Sequence, residues 1–318
     1  MTIILRMKFT KMQGAGNDYV YVDGFEEKVE AAPELARRIA DRHFGVGGDG
    51  LILVQPPRDG RADCRMEMYN ADGSRAQMCG NGIRCVAKFA HDRGIAPRSE
   101  IRIDTDCGIK LVKVRTGPDG KVTEAEVDMG SPILPRSRVP MRDGGDPGSP
   151  ALNVPLEILG HAFAATALSM GNPHCVIRVD LQDTRTLESI RRRDGKKLSE
   201  LALAGWPLDE IGPLFEDHPF FPERVNTEFI ACRSRGEMDF RVWERGSGET
   251  LACGTGACAA VVAAVLNGWC DREVLVHLRG GDLQVRWEGP RDRGDPLEGG
   301  TVFLAGPAVE VFTGEWAE

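Results

Sequence analysis

Residues 78–90 read MCGNGIRCVAKFA, and residues 252–264 read ACGTGACAAVVAA. In each stretch a cysteine is followed by Gly-x-Gly and then by an apolar run long enough for a helix: Cys79, Gly80 and Gly82 in the first, Cys253, Gly254 and Gly256 in the second. The cysteines lie 174 positions apart, and at the same offset Tyr69 matches Trp243 and Asn70 matches Glu244, so the correspondence is longer than the motif. The pattern predicts two halves descended from one duplicated unit.

The turn itself predicts chemistry. A glycine turn at a helix start leaves backbone N–H groups unpaired, and the helix dipole adds partial positive charge there. A carboxylate binds well at such a place. The same field favours thiolate over thiol, so the pKa values of Cys79 and Cys253 are expected to fall and both cysteines become candidate bases. If the halves pack about a pseudo-two-fold axis, the two helix starts face one cleft and set one sulfur on each side of a bound carbon. One thiolate then takes a proton from an α-carbon while the opposing thiol returns one to the other face. The charge that spreads into the adjacent carboxylate is stabilised by the N–H groups around Gly80, Asn81, Gly254 and Thr255. This scheme requires no cofactor and no metal. Under oxidation, a disulfide between Cys79 and Cys253 is expected if the sulfurs face each other, and it would remove both bases. The other seven cysteines lie in strands, helix bodies or loops without this turn and are read as core or incidental.

Taken in order, each half reads as strands around one central helix. Residues 8–23 carry two strands about a turn in which Gly14 and Gly16 supply conformations that other residues resist. Residues 33–44 have helical spacing, and Gly45, Gly47 and Gly50 follow as a formal G-x-G-x-x-G. That motif comes after a helix and opens a strand, the reverse of a dinucleotide fingerprint, so a plain turn is the expectation. Ile83, Val86, Ala87 and Ala90 place one apolar face on the first central helix. Strands are expected over 101–115 and 121–129, and residues 135–150, rich in Pro, Gly and Arg, are the linker candidate. In the second half, residues 164–180 again place a turn, Gly171 and Asn172, before a strand. Residues 181–215 read as helical and charged, with 191–197 a solvated insertion. Asn226 opens the next strand in the place that Gly50 held. The helix after Cys253, nearly all Ala and Val, must be buried on every side.

Composition sets the outer bounds. The 318 residues, 42% hydrophobic and 28% charged, have the balance of a soluble globular protein, and a net charge of -8 argues against nucleic acid. No apolar run reaches the length of a membrane span, and the start lacks the features of a signal peptide. Nine cysteines, none in a C-x-x-C pair, read as reduced thiols, so a cytoplasmic location is expected. The expected partner is a small molecule, with neither nucleic acid nor membrane, and a homodimer is compatible with the sequence.

Six ordered blocks, FTKMQGAGND, GVGGDGLILV, NADGSRAQMCGNGIRC, SMGNPHCV, FPERVNTEF and WERGSGETLACGTGACAA, together resemble the diaminopimelate epimerase family from about residue 8 to the end. The resemblance implies an α/β fold of two similar domains, each a mostly antiparallel, barrel-like sheet around a central helix. It implies a first domain of residues 1–122 plus 307–318, a second of 123–306, and a final strand that crosses back to the first. It also implies interconversion of LL- and meso-diaminopimelate, in lysine and peptidoglycan precursor biosynthesis, without pyridoxal phosphate. By position, the acid/base pair falls on Cys79 and Cys253, and His174 and Glu244 match residues that tune them. Substrate contacts fall on Asn17, Asn70, Gly80, Asn81, Asn172, Asn226, Glu244, Arg245, Gly254 and Thr255. A second amino-acid head group needs one partner of each sign, which Glu244 and Arg245 supply. For each Asn taken alone, the plain alternative is a turn residue bonded to its own backbone. His174 could equally be a satisfied core histidine.

The sequence departs from the family pattern at Gly50, where some members carry glutamine, and at Met78. Extra length occurs near 137–150, 189–207 and 291–298, and residues 1–6 precede the usual start, which makes Met7 an alternative initiator. A proline or hydroxyproline racemase would share the paired thiols, but a proline-type substrate has no distal charged head group for Glu244 and Arg245 to hold. A non-catalytic protein that closes on an amino acid is the reading from a different class.

Overall fold

Both cysteine motifs open helices of equal length. Gly80–Asp92 (α2) and Gly254–Leu266 (α4) each run 13 residues, with Cys79 and Cys253 as their extended N-cap residues. The computed structural model describes residues 6–181, 197–289 and 300–317. The expected insertions at 191–197 and 291–298 lie outside these residues wholly or nearly so, as do residues 1–5. The chain divides into two units, Met1–Asp128 with Ala305–Glu318, and Met129–Leu304.

In the first unit the strands are β1 (Arg6–Gly14), β2 (Asn17–Asp23), β3 (Gly50–Gln55), β4 (Cys64–Asn70), β5 (Arg75–Ala76), β6 (Glu100–Thr105), β7 (Gly108–Thr116) and β8 (Val122–Gly130), the last running on from Asp128 into the second unit. The second unit carries β9 (Ala151–Ile158), β10 (His161–Ser169), β11 (Pro173–Arg178), β12 (Asn226–Ser234), β13 (Glu237–Glu244), β14 (Gly248–Glu249), β15 (Glu273–Leu278) and β16 (Gly281–Trp287). Then β17 (Val302–Pro307) takes the chain across the boundary and β18 (Val309–Ala317) pairs antiparallel with β1. The first sheet runs β18-β1-β2-β3-β4-β6-β7-β8, with β2–β3 and β4–β6 parallel. The second runs β9-β10-β11-β12-β13-β15-β16, with β11–β12 and β13–β15 parallel.

Parallel neighbours need a crossover, and each unit spends a helix on its first one. Helix α1 (Ala32–Ile39) lies between β2 and β3, and its Leu35, Ala36 and Ile39 pack with Val20, Val22, Leu51 and Leu53. Helix α3 (Leu208–Glu216) precedes β12, and its Phe215 meets Phe163 and Phe229 edge-on. The second crossover of each unit is the central helix. Helix α2 touches β1, β2, β3, β4, β6 and β7, while α4 touches β10, β11, β12, β15 and β16.

Strand register makes the repeat exact at the site. Partners across the first sheet run Val20–Leu51–Tyr69–Arg75, and across the second Cys175–Thr227–Trp243–Glu249. Counting back from these chains aligns Asn17 with Asn172, Tyr19 with His174 and Gly50 with Asn226.

Several sequence expectations need correction. Helix α2 is buried from Gly80 to Ala90 rather than on one face, Arg84 and Lys88 included. Those cations are tolerable because Arg84 donates to Gly80 O, Asn81 Oδ1 and Pro307 O, and Lys88 to Asp92 and Val122 O. In the first turn the positive φ falls on Ala15 and Gly16. Gly14 is needed for a different reason: a Cβ there would sit 3.1 Å from both Arg84 and the Asn81 carbonyl. Residues 135–150 are no open linker, since Arg136 ties the stretch together through Asp143, Ser149 and the Pro150 carbonyl. Helix α4, by contrast, is buried through nearly its whole length, as an Ala/Val helix must be.

Gly50 is fixed by packing. A Cβ at this position would lie 2.0 Å from the Tyr69 carbonyl oxygen and 2.9 Å from the Tyr19 ring, and backbone cannot yield as a flexible side chain does. Gly50→Gln is therefore expected to lower the unfolding free energy by about 1–3 kcal/mol, read as a shifted urea midpoint with unchanged slope.

Candidate active site

In the first unit, Cys79 is half-buried at the start of α2, and its sulfur accepts the Gly82 N–H at 3.4 Å while donating to Asn17 Oδ1 at 3.2 Å. Asn17 is itself aimed by Asp49, whose Oδ2 accepts from Asn17 Nδ2 at 2.7 Å and from the Asp18 N–H at 3.1 Å. Burial raises the Asp49 carboxyl above its ordinary range, and the neighbouring Asp18 adds to this. Burial opposes the charge of Asp18 as well, but hydrogen bonds from Arg42 and Lys11 prevail and hold its carboxyl low. The second glycine of the motif is closely packed: a Cβ on Gly82 would lie 2.9 Å from the Ile52 Cδ1 methyl and 3.1 Å from Met66 Cε, so those side chains would have to shift.

Two other predicted contacts of this unit are occupied by the protein. Asn81 is buried, and its Oδ1 accepts from Arg84 Nη2 at 2.9 Å. Asn70 donates to Ser74 Oγ at 3.0 Å at the end of β4. Gly80 begins α2, and its carbonyl accepts from Arg84.

The second unit gathers more of the predicted residues. His174 is fully buried, with Nδ1 2.7 Å from Glu228 Oε1 and Nε2 3.0 Å from Asn172 Oδ1. Asn172 Nδ2 lies 3.4 Å from Thr255 Oγ1, which is 3.5 Å from the Cys253 sulfur. Asn226 is buried and accepts the Arg245 N–H at 2.9 Å, so it holds the Glu244–Arg245 turn. Glu244 accepts from Thr250 Oγ1 at 2.6 Å, and Arg245 donates to the Glu223 carbonyl at 2.9 Å. Gly256 again has no room: a Cβ would lie 2.8 Å from Glu228 Oε1 and 3.3 Å from the Cys253 sulfur. Gly254 is the first residue of α4.

The two thiols differ, and the expected fall in the Cys253 pKa is not found. Burial pushes this thiol well up, the Glu244 carboxylate pushes it further, and the Thr255 hydroxyl and Gly256 amide only partly offset them. His174 is driven the other way, down to about 3, chiefly by burial, with Glu244 opposing and Arg245 assisting. It is a neutral imidazole at working pH.

Sequence reasoning passed over three residues that organise these groups. Glu228 stands in the quoted block FPERVNTEF, and its signal is a carboxylate directly before the apolar run Phe229, Ile230 and Ala231 of a strand. Asp49 stands in GVGGDGLILV and looked like part of a turn. Glu216 is buried and binds Trp243 Nε1, the Gly246 N–H and Arg224, bracing the Glu244–Arg245 turn from α3. Among the cysteines read as incidental, Cys232 and Cys270 hold their sulfurs 3.6 Å apart, away from the helix starts. Among the described residues, no helix is long and apolar enough to cross a membrane.

Two strand-wrapped α/β units, each with a cysteine at the N-cap of its central helix, define a fold shared with solved structures of low sequence identity. A phenazine biosynthesis protein of the PhzF family from Bacillus anthracis matches with a TM-score of 0.64 at 15% identity, over 98% of this chain and 99% of that one. A hydroxyproline epimerase from Agrobacterium vitis, solved with trans-4-hydroxy-L-proline, matches with a TM-score of 0.63 at 14% identity, over 100% and 93%. Closer in sequence is the diaminopimelate epimerase of Leptospira biflexa serovar Patoc, 45% identical over 311 residues, which cover 98% of this chain and 99% of that protein. The family model for diaminopimelate epimerase matches residues 9–135 and 166–308. The chain belongs to the diaminopimelate epimerase family.

A neutral buried histidine has a thermodynamic signature. The folded pKa of about 3 lies below the ordinary 6.5, so the unfolded chain binds more protons between these values. The His174 contribution to stability is thus complete above the ordinary pKa and is lost as pH falls toward the folded one. In ¹⁵N spectra, His174 is expected to show no titration from about pH 5 to 8, while an imidazolium signal in that range would contradict the assignment.

Proposed function

We propose that this chain interconverts LL- and meso-diaminopimelate by proton transfer at one α-carbon, as a step of lysine and peptidoglycan precursor biosynthesis in a reducing cytoplasm. Family membership across nearly the whole chain supports the reaction, and the observation that carries the mechanism is a cysteine at the N-terminus of the central helix in each unit.

Inversion at carbon needs a base on one face and an acid on the other. Cys79, linked to Asn17, is the proposed base for one isomer, and Cys253, which burial keeps protonated, is the proposed acid. The roles exchange for the reverse reaction. The carbanion formed between the transfers is stabilised by delocalisation into the α-carboxylate and by the N–H groups at the starts of α2 and α4. On this reading Glu244 and Arg245 receive the distal ammonium and carboxylate, and Asn17, Asn70, Asn81, Asn172, Asn226 and Thr255 complete or brace the binding site. The scheme uses no cofactor, because helix ends and amides perform the charge stabilisation that a pyridoxal ring would otherwise supply.

The hydroxyproline epimerase shares the fold, so proline-type substrates are the competing reading. The adjacent Glu244 and Arg245 argue for a substrate with a second charged head group. Purified protein without pyridoxal phosphate should epimerise diaminopimelate and leave proline and hydroxyproline unchanged; the opposite preference would overturn the assignment. Cys79→Ala and Cys253→Ala are each expected to lower the epimerisation rate by at least about 10²–10⁴-fold, with full activity in either variant counting against two-thiol chemistry.

A further inference from the structure

Glu228 has no role in the scheme above, yet it is fully buried directly beneath the first turn of α4. It sits on β12 between Val176 of β11 and Val242 of β13. Its Oε1 lies 2.7 Å from His174 Nδ1, and among the described residues its Oε2 has no hydrogen-bond partner. The titratable and charged groups around it are His174 and Cys175 from β11, Glu244 and Arg245 at the end of β13, and Cys253 at the cap of α4.

We propose that Glu228 is a positioning residue for Cys253, fixing the direction of a hydrogen-bond chain through His174, Asn172 and Thr255 that ends with a donor on the Cys253 sulfur. The inference rests on the acid/base role proposed for Cys253. The physical argument starts from the bare Oε2. An ionised carboxylate with one oxygen unpaired in the interior is costly, whereas a neutral acid leaves only a carbonyl oxygen there. Burial and the nearby Glu244 push the Glu228 carboxyl well up, in the same direction.

A neutral Glu228 donates its proton to His174 Nδ1. The imidazole, neutral as well, then carries its hydrogen on Nε2 and donates to Asn172 Oδ1, which leaves Asn172 Nδ2 directed at Thr255 Oγ1. Thr255, having accepted, turns its own hydrogen to the Cys253 sulfur. Every donor in the chain points toward Cys253, and a donor on sulfur favours the thiolate. Were Glu228 ionised, His174 would donate back to it and Asn172 would turn over. Thr255 would then accept from the Cys253 S–H, which favours the thiol. The proton on Glu228 therefore selects between two directions of one chain, and its absence also adds a negative charge near the sulfur.

The test reads the Cys253 titration directly, as the ultraviolet thiolate absorbance of each protein minus that of its Cys253→Ser counterpart, without substrate. Gln at 228 keeps a donor to His174 Nδ1, and Leu removes it. Glu228→Gln is expected to leave the Cys253 midpoint within about 0.3 unit of wild type, and Glu228→Leu to raise it by about one unit, tenfold less thiolate at a given pH. If both variants lower the midpoint, Glu228 is ionised and acts by charge. If both raise it, the carboxyl itself is required. If neither moves it, Glu228 only packs. Each of these three results overturns the proposal. Should the Leu variant not fold, unbranched Glu228→Met replaces it; if that also fails, a Gln midpoint displaced by about a unit or more is itself contradictory. Because no turnover is measured, a failure here is separate from a failure of the epimerase reading.

Discussion

Enclosing a helix within a curled sheet forces the helix's own polar end into the protein interior, and the rest of the structure answers that constraint. The N-terminal amides of α2 and α4 cannot all reach bulk water, so they must be satisfied by a cap, by side chains or by a bound anion. A cysteine at the cap then experiences two opposed effects. The helix end contributes on the order of 0.3–1 kcal/mol toward the thiolate, up to about 2 in favourable partly buried geometry, whereas full burial can move a titration by up to about 3–5 units against it. For Cys253, buried and flanked by Glu228 and Glu244, burial wins. The helix end and Thr255 narrow the difference without reversing it.

The two units solve one geometric problem with different electrostatics. Equivalent asparagines, Asn17 and Asn172, stand beside the two cap regions, but what holds them differs. Asn17 is aimed by Asp49, within a network that includes Asp18 and the cations Lys11 and Arg42. Asn172 is aimed by neutral His174, in turn backed by Glu228, which among the described residues has no cation on either carboxyl oxygen. Where the second unit has His174, the first has Tyr19. A duplicated frame has therefore acquired two different surrounds for its equivalent asparagines, an ion-paired one at Asn17 and one built on a neutral imidazole at Asn172.

The frame was legible in the sequence for a physical reason: strand register and helix caps are local and leave periodic marks. The Cys-Gly-x-Gly turn, the all-apolar run from Ala257 to Ala264 and the matched pairs Tyr69/Trp243 and Asn17/Asn172 are such marks. What sequence could not provide was set by tertiary burial. The helix dipole at Cys253 is a local property, and its burial beside Glu244 is not. The burial of Arg84 and Lys88 left no mark in the sequence because their compensating carbonyls, Pro307 and Val122, are remote along the chain. Residues 135–150 had a linker's composition, yet a single arginine, Arg136, gathers them into the second unit. Asp49 and Glu228 were visible as letters but not as supports, because their importance lies in what they aim.

The central claim is that two different thiols handle the departing and arriving protons. The most direct measurement is a single turnover in heavy water from one isomer of protiated diaminopimelate, with deuterium located in both substrate and product. The account predicts deuterium at the inverted α-carbon of essentially every product molecule and none in unreacted substrate. Product that retains the substrate's own proton would mean that one base serves both faces, and would contradict it.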